Sequence, residues 1–184
     1  NGMIYMRGQS RDYDGWRQRG NIGWGWEDVI PYFLRSEDQA AVEKDDLHNE
    51  GGEWRVERQR LSWEVLDSFR EAAAEAGIPK TNDFNRGNNE GCGYFHVNQR
   101  TGLRVSAAKA FLKPVLNRSN LTVLTHAQAR KLNYMDGRIS GVDIWYKGEE
   151  SKISANGEVI LATGSVGTPQ ILELSGIGSG RLLS

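Results

Sequence analysis

Hydrophobic side chains recur every three to four positions in several segments of the chain, which is the spacing of one face of an α-helix. This pattern predicts helices over residues 12–19, 26–36, 62–76, 106–116 and 168–174. The pattern is clearest in residues 62–76, where Ser62 stands at the capping position and Gly77 follows the end. The predicted inner face of this helix consists of Trp63, Leu66, Phe69, Ala73 and Ala76.

Shorter apolar runs, several of them alternating with polar residues, predict strands. They cover residues 53–57, 94–99, 121–125, 130–134, 141–146, 151–155 and 159–162. The three runs between 130 and 155 are separated by Asp136-Gly137 and Lys147-Gly148, so they predict an antiparallel β-meander with tight turns. The runs at 121–125 and 159–162 are expected to be buried strands.

The order of these elements predicts an α/β fold with some α+β character. A mixed helix–strand module precedes a strand, a meander, a further strand and a final helix. A small antiparallel meander between two strands of a parallel sheet is a known variation of the dinucleotide-binding fold.

The passage from the last predicted strand to the last predicted helix is the first candidate site. Ala162, Thr163 and Gly164 end the strand, and Thr168 and Pro169 are expected to open the helix as its cap and first turn. Small residues before a helix start allow a phosphate or cofactor to approach unpaired backbone N–H groups.

Composition excludes several classes of protein. The net charge of −1 gives no general attraction to nucleic acid, and no run approaches the about 18 apolar residues of a membrane span. With Cys92 as the single cysteine, no intrachain disulfide and no cysteine-based metal site is expected. This usage fits a reducing compartment, and we expect a cytoplasmic protein.

Five stretches, taken in order, resemble one family. The opening Asn1-Gly2-Met3-Ile4-Tyr5-Met6-Arg7-Gly8 and the ending from Gly164-Ser165 to Ser175-Gly176-Ile177-Gly178 resemble the two signatures of the glucose–methanol–choline (GMC) family of flavin oxidoreductases. Between them, three further stretches agree: Val29-Ile30-Pro31-Tyr32-Phe33, His48-x-x-Gly51-Gly52 and Gly102-x-Arg104-x-Ser106. The chain looks most like the branch of choline and alcohol dehydrogenases.

This resemblance implies FAD as the cofactor and gives the predicted regions their roles. Residues 1–45 would form a flavin-adjacent loop and helical connection, 46–118 part of a substrate-binding domain, and 119–184 part of an FAD-binding, Rossmann-like domain with its β-meander. Asn1, Gly2 and Met3 match the segment along the isoalloxazine ring, and Ala129 matches the contact to adenine. The ADP half of FAD would pass Ala162, Thr163, Gly164 and Thr168, and His96 is a candidate for the substrate pocket.

Two parts of the family pattern are missing from this sequence: the Gly-x-Gly-x-x-Gly turn and the catalytic histidine segment. We therefore expect an internal fragment with no catalytic residue of its own, inactive alone and completed by the other parts of the same polypeptide. Residues 121–125 and 159–162 would then be exposed, aggregation-prone strand edges, so either a partner fragment or a swapped or oligomeric assembly is expected to cover them.

Three functions remain open on the sequence alone. The first is a fragment of an enzyme in which an alcohol passes a hydride to flavin N5 and becomes an aldehyde. The second is a non-catalytic binding or interaction module that keeps the fold. The third, a part of a nicotinamide-dependent dehydrogenase, has the least support.

Overall fold

The computed structural model describes residues 2–183 and divides the chain into two compact units, Asn1–Leu121 and Thr122–Ser184. Both units mix helices and strands, which confirms the predicted α/β class with α+β character. None of the helices within residues 2–183 is long and apolar enough to cross a membrane.

Within residues 2–121, the first unit contains three α-helices and five short strands. The helices are α1 (Ser10–Gln18), α2 (Trp26–Ser36) and α3 (Glu64–Glu75). Strands β1 (Glu37–Gln39), β2 (Trp54–Arg58) and β3 (His96–Val97) form a sheet in that order, with β1 parallel and β3 antiparallel to β2. A hairpin of β4 (Gln99–Arg100) and β5 (Leu103–Arg104) follows, then a π-helix at Ala108–Leu112 and a 3₁₀ helix at Lys113–Val115.

The second unit confirms the predicted meander. Strands β6 (Gln128–Met135), β7 (Arg138–Tyr146) and β8 (Glu149–Ser154) pair antiparallel in chain order. Asp136 and Gly137 have φ of 51° and 80°, and Lys147 and Gly148 have φ of 54° and 88°, as a type I′ turn requires. Helices α4 (Gly164–Leu174) and α5 (Gly180–Leu183) complete the unit.

Helix α3 forms where the sequence predicts it, but its environment differs. Gly77 has φ of 88°, and the N–H of Ile78 donates to the carbonyl of Ala73, so a Schellman motif ends the helix as expected. Of the predicted inner face, Ala73 is buried, whereas Trp63 is 61% and Phe69 66% exposed. The prediction of a buried face is therefore wrong for the large side chains, since no described element covers them. Trp63 rather than Ser62 is the N-cap residue.

Two predicted strands do not form. Residues 121–125 and 159–162 are irregular, and Val123, Leu124 and Ile160 are exposed. A strand needs a neighbour for its ladder of hydrogen bonds, and within residues 2–183 no strand pairs with either segment. The apolar composition of these segments predicts burial, but it does not show whether a neighbouring strand is present to pair with them.

Two predicted helices start or continue differently. Helix α4 begins at Gly164, so Pro169 lies inside it rather than in its first turn, and Thr168 is not its cap. The predicted helix at 106–116 is a π-helix followed by a 3₁₀ turn, and Pro114 stands at the start of that turn. A proline lacks the N–H that regular α-helical bonding would require there.

Candidate functional site

The segment that opens the chain runs along β3 as an additional strand, on the edge opposite β2. Ile4 bridges Val97 in antiparallel fashion. The N–H of Tyr5 donates to the carbonyl of His96 at 2.9 Å, and the N–H of Asn98 donates to the carbonyl of Met3 at 2.7 Å. A Cβ added to Gly2 would meet nothing within 4 Å, so the backbone is open there. Asn1 lies outside the described residues.

A largely apolar cleft of about 690 Å³ opens beside this segment. Tyr5 and Trp54 meet edge to face, with ring centroids 6.0 Å apart, and Trp54 meets Phe111 in the same manner at 5.7 Å. The indole N–H of Trp54 donates to the carbonyl of Val105 at 3.0 Å, which fixes the ring. Other lining residues include Met6, Tyr13, Trp24, Tyr32 and Asn98. The cleft fits a flat or apolar ligand better than a charged one.

Beneath the segment, five buried residues close a ring of polar contacts, here called the buried ring: Arg7, Glu37, His48, Asp83 and Asn85. Nη2 of Arg7 lies 2.8 Å from Oε2 of Glu37, and Oε1 of Glu37 lies 3.2 Å from Nδ1 of His48. Nε2 of His48 lies 2.9 Å from Oδ2 of Asp83. The N–H of Asn85 donates to Oδ1 of Asp83, and Oδ1 of Asn85 accepts the N–H of Arg7, both at 2.8 Å.

The charges of the buried ring balance when His48 is protonated. Burial by itself lowers the pKa of His48, but Asp83 and Glu37 outweigh it and raise that pKa to about 9. Burial also disfavours the charged form of Asp83, yet the neighbouring imidazole of His48 and the hydrogen bond from the N–H of Asn85 hold its pKa below the usual value. The ring therefore carries two cations and two anions at neutral pH.

Tyr5 belongs to the same interior. Its hydroxyl oxygen accepts hydrogen bonds from Nε and Nη2 of Arg7, at 3.2 and 3.1 Å. Burial raises the pKa of Tyr5 to about 12, although Arg7 acts in the opposite direction. Tyr5 therefore stays neutral and serves as a hydrogen-bond partner of Arg7.

His96, the predicted substrate-pocket residue, is buried on β3 with a 3% exposed side chain. Its Nδ1 lies 3.9 Å from Oδ1 of Asp83, and burial lowers its pKa. It borders a separate cleft of about 310 Å³, together with Arg58, Arg70 and Tyr94, and is not among the residues that line the apolar cleft. Its contact with a substrate stays a prediction.

In the second unit, the predicted nucleotide-contacting residues lie on α4, just before it, and on β6. Thr163 is the N-cap of α4, but its side chain makes no capping bond; its Oγ1 lies 2.9 Å from Oγ1 of Thr168. Gly164 has φ of 84° and nothing within 4 Å of an added Cβ. Ala162, Thr163 and Gly164 are exposed, as is Ala129 on β6.

Helix α4 is fixed against the meander. Ile171 of α4 is buried, as are Leu132 of β6 and Ile144 of β7, and α4 packs on β6. The N–H of Leu132 on β6 donates to Oγ of Ser175, the residue that follows α4, at 2.8 Å. The second half of α4 is therefore held by a packed core, while its first turn is open.

The sequence did not single out four residues of the buried ring, Arg7, Glu37, Asp83 and Asn85. His48 entered the sequence analysis only as part of the motif His48-x-x-Gly51-Gly52. Between 30 and 78 residues separate several of these partners, and no pattern along one sequence pairs residues so far apart. One feature of the sequence could have indicated buried ion pairs: Arg7, Glu37 and Asp83 are charged residues within segments that also carry core residues.

The chain matches the family model described as GMC oxidoreductase over residues 1–182. It is 38% identical to the alcohol dehydrogenase [acceptor] of Pseudomonas putida, covering 97% of this chain and 33% of that protein. It is also 38% identical to the oxygen-dependent choline dehydrogenase of Photobacterium profundum, covering 100% of this chain and 32% of the relative. The chain thus spans about a third of the length of these curated relatives.

Solved structures agree with this match. The crystal structure of pyridoxine 4-oxidase from Mesorbium loti superposes with a TM-score of 0.84 at 30% identity, covering 98% of this chain and 36% of that one. An FAD-dependent oxidoreductase from Chaetomium thermophilum gives a TM-score of 0.87 at 27% identity, covering 98% of this chain and 34% of that one. Because the family model matches residues 1–182, almost the whole of this chain, the chain belongs to the GMC oxidoreductase family.

Proposed function

We propose that the protein containing this chain is an FAD-dependent oxidoreductase that oxidises the CH–OH group of an alcohol to an aldehyde. The observation that carries this proposal is the family match over residues 1–182. The names of two relatives, an alcohol dehydrogenase and a choline dehydrogenase, support an alcohol as the substrate. Bound FAD would supply the acceptor for the hydride that leaves the carbinol carbon.

The start of α4 fits the nucleotide part of FAD. The first N–H groups of a helix have no partner within the helix, and the Thr163 side chain does not cap them. Ala162 to Gly164 are exposed and Gly164 carries no side chain, so the backbone can be approached closely. The positive end of the helix dipole would favour a pyrophosphate there, and exposed Ala129 would offer its backbone to the adenine.

The opening segment fits the flavin ring. Gly2 leaves the backbone open, and Met3 is held by the bond from the N–H of Asn98. The cleft beside the segment has largely apolar walls, and a hydrogen bond from a fixed backbone donor is stronger in apolar surroundings than in water. Gly2 and Met3, together with Asn1 as predicted from the resemblance, would therefore orient the ring and tune its electronics.

We further propose that the 184 residues alone do not complete the reaction. The chain spans 33% and 32% of two relatives, and the histidine that the resemblance assigns to proton transfer is not among its three histidines. The segments beyond this chain would then provide the proton acceptor and the rest of the FAD cradle. The alcohol itself stays open between choline-like and simple aliphatic or aromatic alcohols.

The direct experiment is an absorption spectrum of the purified protein, expressed from its complete gene. Bands of bound flavin are expected, and so is bleaching of these bands when an accepted alcohol is added without oxygen. A protein that shows no flavin bands and does not take up added FAD would overturn the proposal. Flavin bands without turnover of any alcohol would favour the non-catalytic binding module instead.

A pair of glycine variants tests the site on α4. Gly164→Val forces a β-branched residue into a positive φ at the proposed pyrophosphate position and should reduce FAD occupancy at least severalfold. Gly148→Val is the matched control, because Gly148 also has positive φ with nothing within 4 Å of an added Cβ, but lies in the β7–β8 turn. Equal loss of FAD in both variants would count against the α4 site.

A further inference from the structure

The segment from Met3 to Arg7 is held along one edge by two different partners. Toward its start, the carbonyl of Met3 and the N–H of Tyr5 bond to β3 and the residue that follows it. Toward its end, the Asn85 carboxamide takes over: Oδ1 accepts the N–H of Arg7 at 2.8 Å, and Nδ2 donates to the carbonyl of Tyr5 at 3.2 Å. One side chain thus replaces the missing neighbour strand.

These bonds fall on alternate residues, as along the edge of a strand. The side chains follow the same alternation: Tyr5 and Arg7 are buried, while Ile4 and Met6 are exposed. The register of the segment therefore decides which side chains are buried beside the ring and which are exposed. A slip by one residue would exchange the buried and the exposed sets.

The buried ring fixes the clamp itself. Asn85 is oriented by its own N–H bond to Asp83, and Asp83 is paired with His48. From the other side, Glu37 pairs with His48 and with the guanidinium of Arg7, the residue whose backbone Asn85 holds. Backbone and side chain of Arg7 are thus tied to opposite ends of one chain of contacts.

Removing one member of such a ring leaves a buried charge without its partner. Breaking a buried ion pair in this way is strongly destabilising, far more so than loss of an exposed pair. The side chains of Arg7 and Glu37 are 1% and 0% exposed, so water cannot replace the lost partner. Loss of one member therefore disturbs the other contacts of the ring, including those of Arg7 and Asn85 with residues 3–7.

We propose that Asn85 and Glu37 are positioning residues. They fix the segment of residues 3–7 along β3 and thereby hold Gly2 and Met3 in place for the flavin ring. This inference rests on the proposed function for the presence of a flavin. It assigns to the buried ring an effect on the reaction, beyond its effect on stability. Neither residue touches the cofactor in this assignment; both act through the backbone of residues 3–7.

The test compares Asn85→Ala with Asn133→Ala in the complete flavin-containing protein. Asn133 is the matched control, because its Nδ2 donates to Oδ1 of Asp143 at 2.9 Å within the meander of the second unit. Asn85→Ala should shift the absorption and circular dichroism bands of the bound flavin and lower kcat about tenfold or more with little change in KM, since small misplacements of reacting groups are costly. Asn133→Ala should change neither.

A second variant protects the test against misfolding. Glu37→Asp keeps the charge and shortens the side chain by one methylene, so it should fold and show the same flavin shift in weaker form. Unchanged flavin bands and unchanged kcat in a folded Asn85→Ala or Glu37→Asp protein would overturn the inference. An unmodified protein without flavin would instead overturn the proposed function, so the two failures are distinguishable.

Discussion

Nε2 of His48 lies 2.9 Å from Oδ2 of Asp83, with side chains that are 0% and 6% exposed. On the other side of the imidazole, Nδ1 faces Glu37 at 3.2 Å. A neutral imidazole carries one N–H and would turn a lone pair toward one of these carboxylates. Only the protonated imidazole offers an N–H to both carboxylates, so the two contacts stabilise the charged form of His48.

This arrangement predicts a decline of stability at alkaline pH. The pKa of His48 rises from 6.5 unfolded to about 9 folded, so its contribution is fully present below about pH 6.5 and is lost as the pH rises through 9. The expected loss is on the order of 3 kcal/mol. Urea unfolding between pH 6 and 10 measures it.

The control for this prediction is His48→Gln, which has no proton to lose in that range. Its free energy of unfolding should be lower at pH 6.5 and nearly flat up to pH 9. A native protein whose stability also stays flat between pH 6.5 and 9 would contradict the assignment of a charged His48.

The core between α4 and the meander gives a second prediction. Leu132 is 4% exposed and packs in the unit that also buries Ile144 and Ile171. Leu132→Ala should reduce the free energy of unfolding by about 2–5 kcal/mol, through lost burial and the cavity left behind. Met135→Ala, on the same strand but 62% exposed, should change it by less than about 0.5 kcal/mol. Equal effects would show that α4 does not pack on β6 as described.

Close approach of β7 and β8 gives a third prediction. A Cβ at Gly141 would stand 2.3 Å from the carbonyl oxygen of Ile153, so Gly141→Ala must push the two strand backbones apart. We expect a loss of about 1–3 kcal/mol in unfolding free energy, the usual range for overpacking. Gly157→Ala, with nothing within 4 Å of its added Cβ, should be neutral. Thermal unfolding of both variants measures this difference. Equal stability of the two variants would show that β7 and β8 do not approach each other closely at Gly141.

His96 gives a fourth prediction, which tests whether its side chain contacts the substrate, as the resemblance implies. Because His96 is buried beside Asp83, we expect His96→Gln to lower the melting temperature while KM for the alcohol stays within about twofold of the native value, a difference below about 0.5 kcal/mol. His126→Gln, at an exposed position, is the control for both measurements. A KM raised more than about tenfold at an unchanged melting temperature would instead support the substrate contact.

Local patterns predicted those elements that local forces hold together. The meander follows from alternating side chains and from turn residues that tolerate positive φ at Asp136 and Lys147. The end of α3 follows from Gly77, whose left-handed conformation closes the helix through bonds only a few residues apart. Such features need no distant partner, so they can be read along one sequence.

Features that need a distant partner were predicted poorly. Residues 121–125 and 159–162 carry strand composition but have no paired neighbour within residues 2–183. The apolar stripe of α3 predicted burial, yet Trp63 and Phe69 lie exposed. Helix α4 extends back to Gly164, although Pro169 alone suggested a later start.

By itself, the sequence determined the mixed α/β class, the meander and its turns, and, through its motifs, the membership in the GMC oxidoreductase family. The tertiary structure alone decided which charges are buried and with whom. Arg7, Glu37, His48, Asp83 and Asn85 meet only after four separate segments have come together. The physical reason is that burying a charge is unfavourable unless a charged or hydrogen-bonding partner lies beside it. The fold brings that partner from a distant part of the sequence.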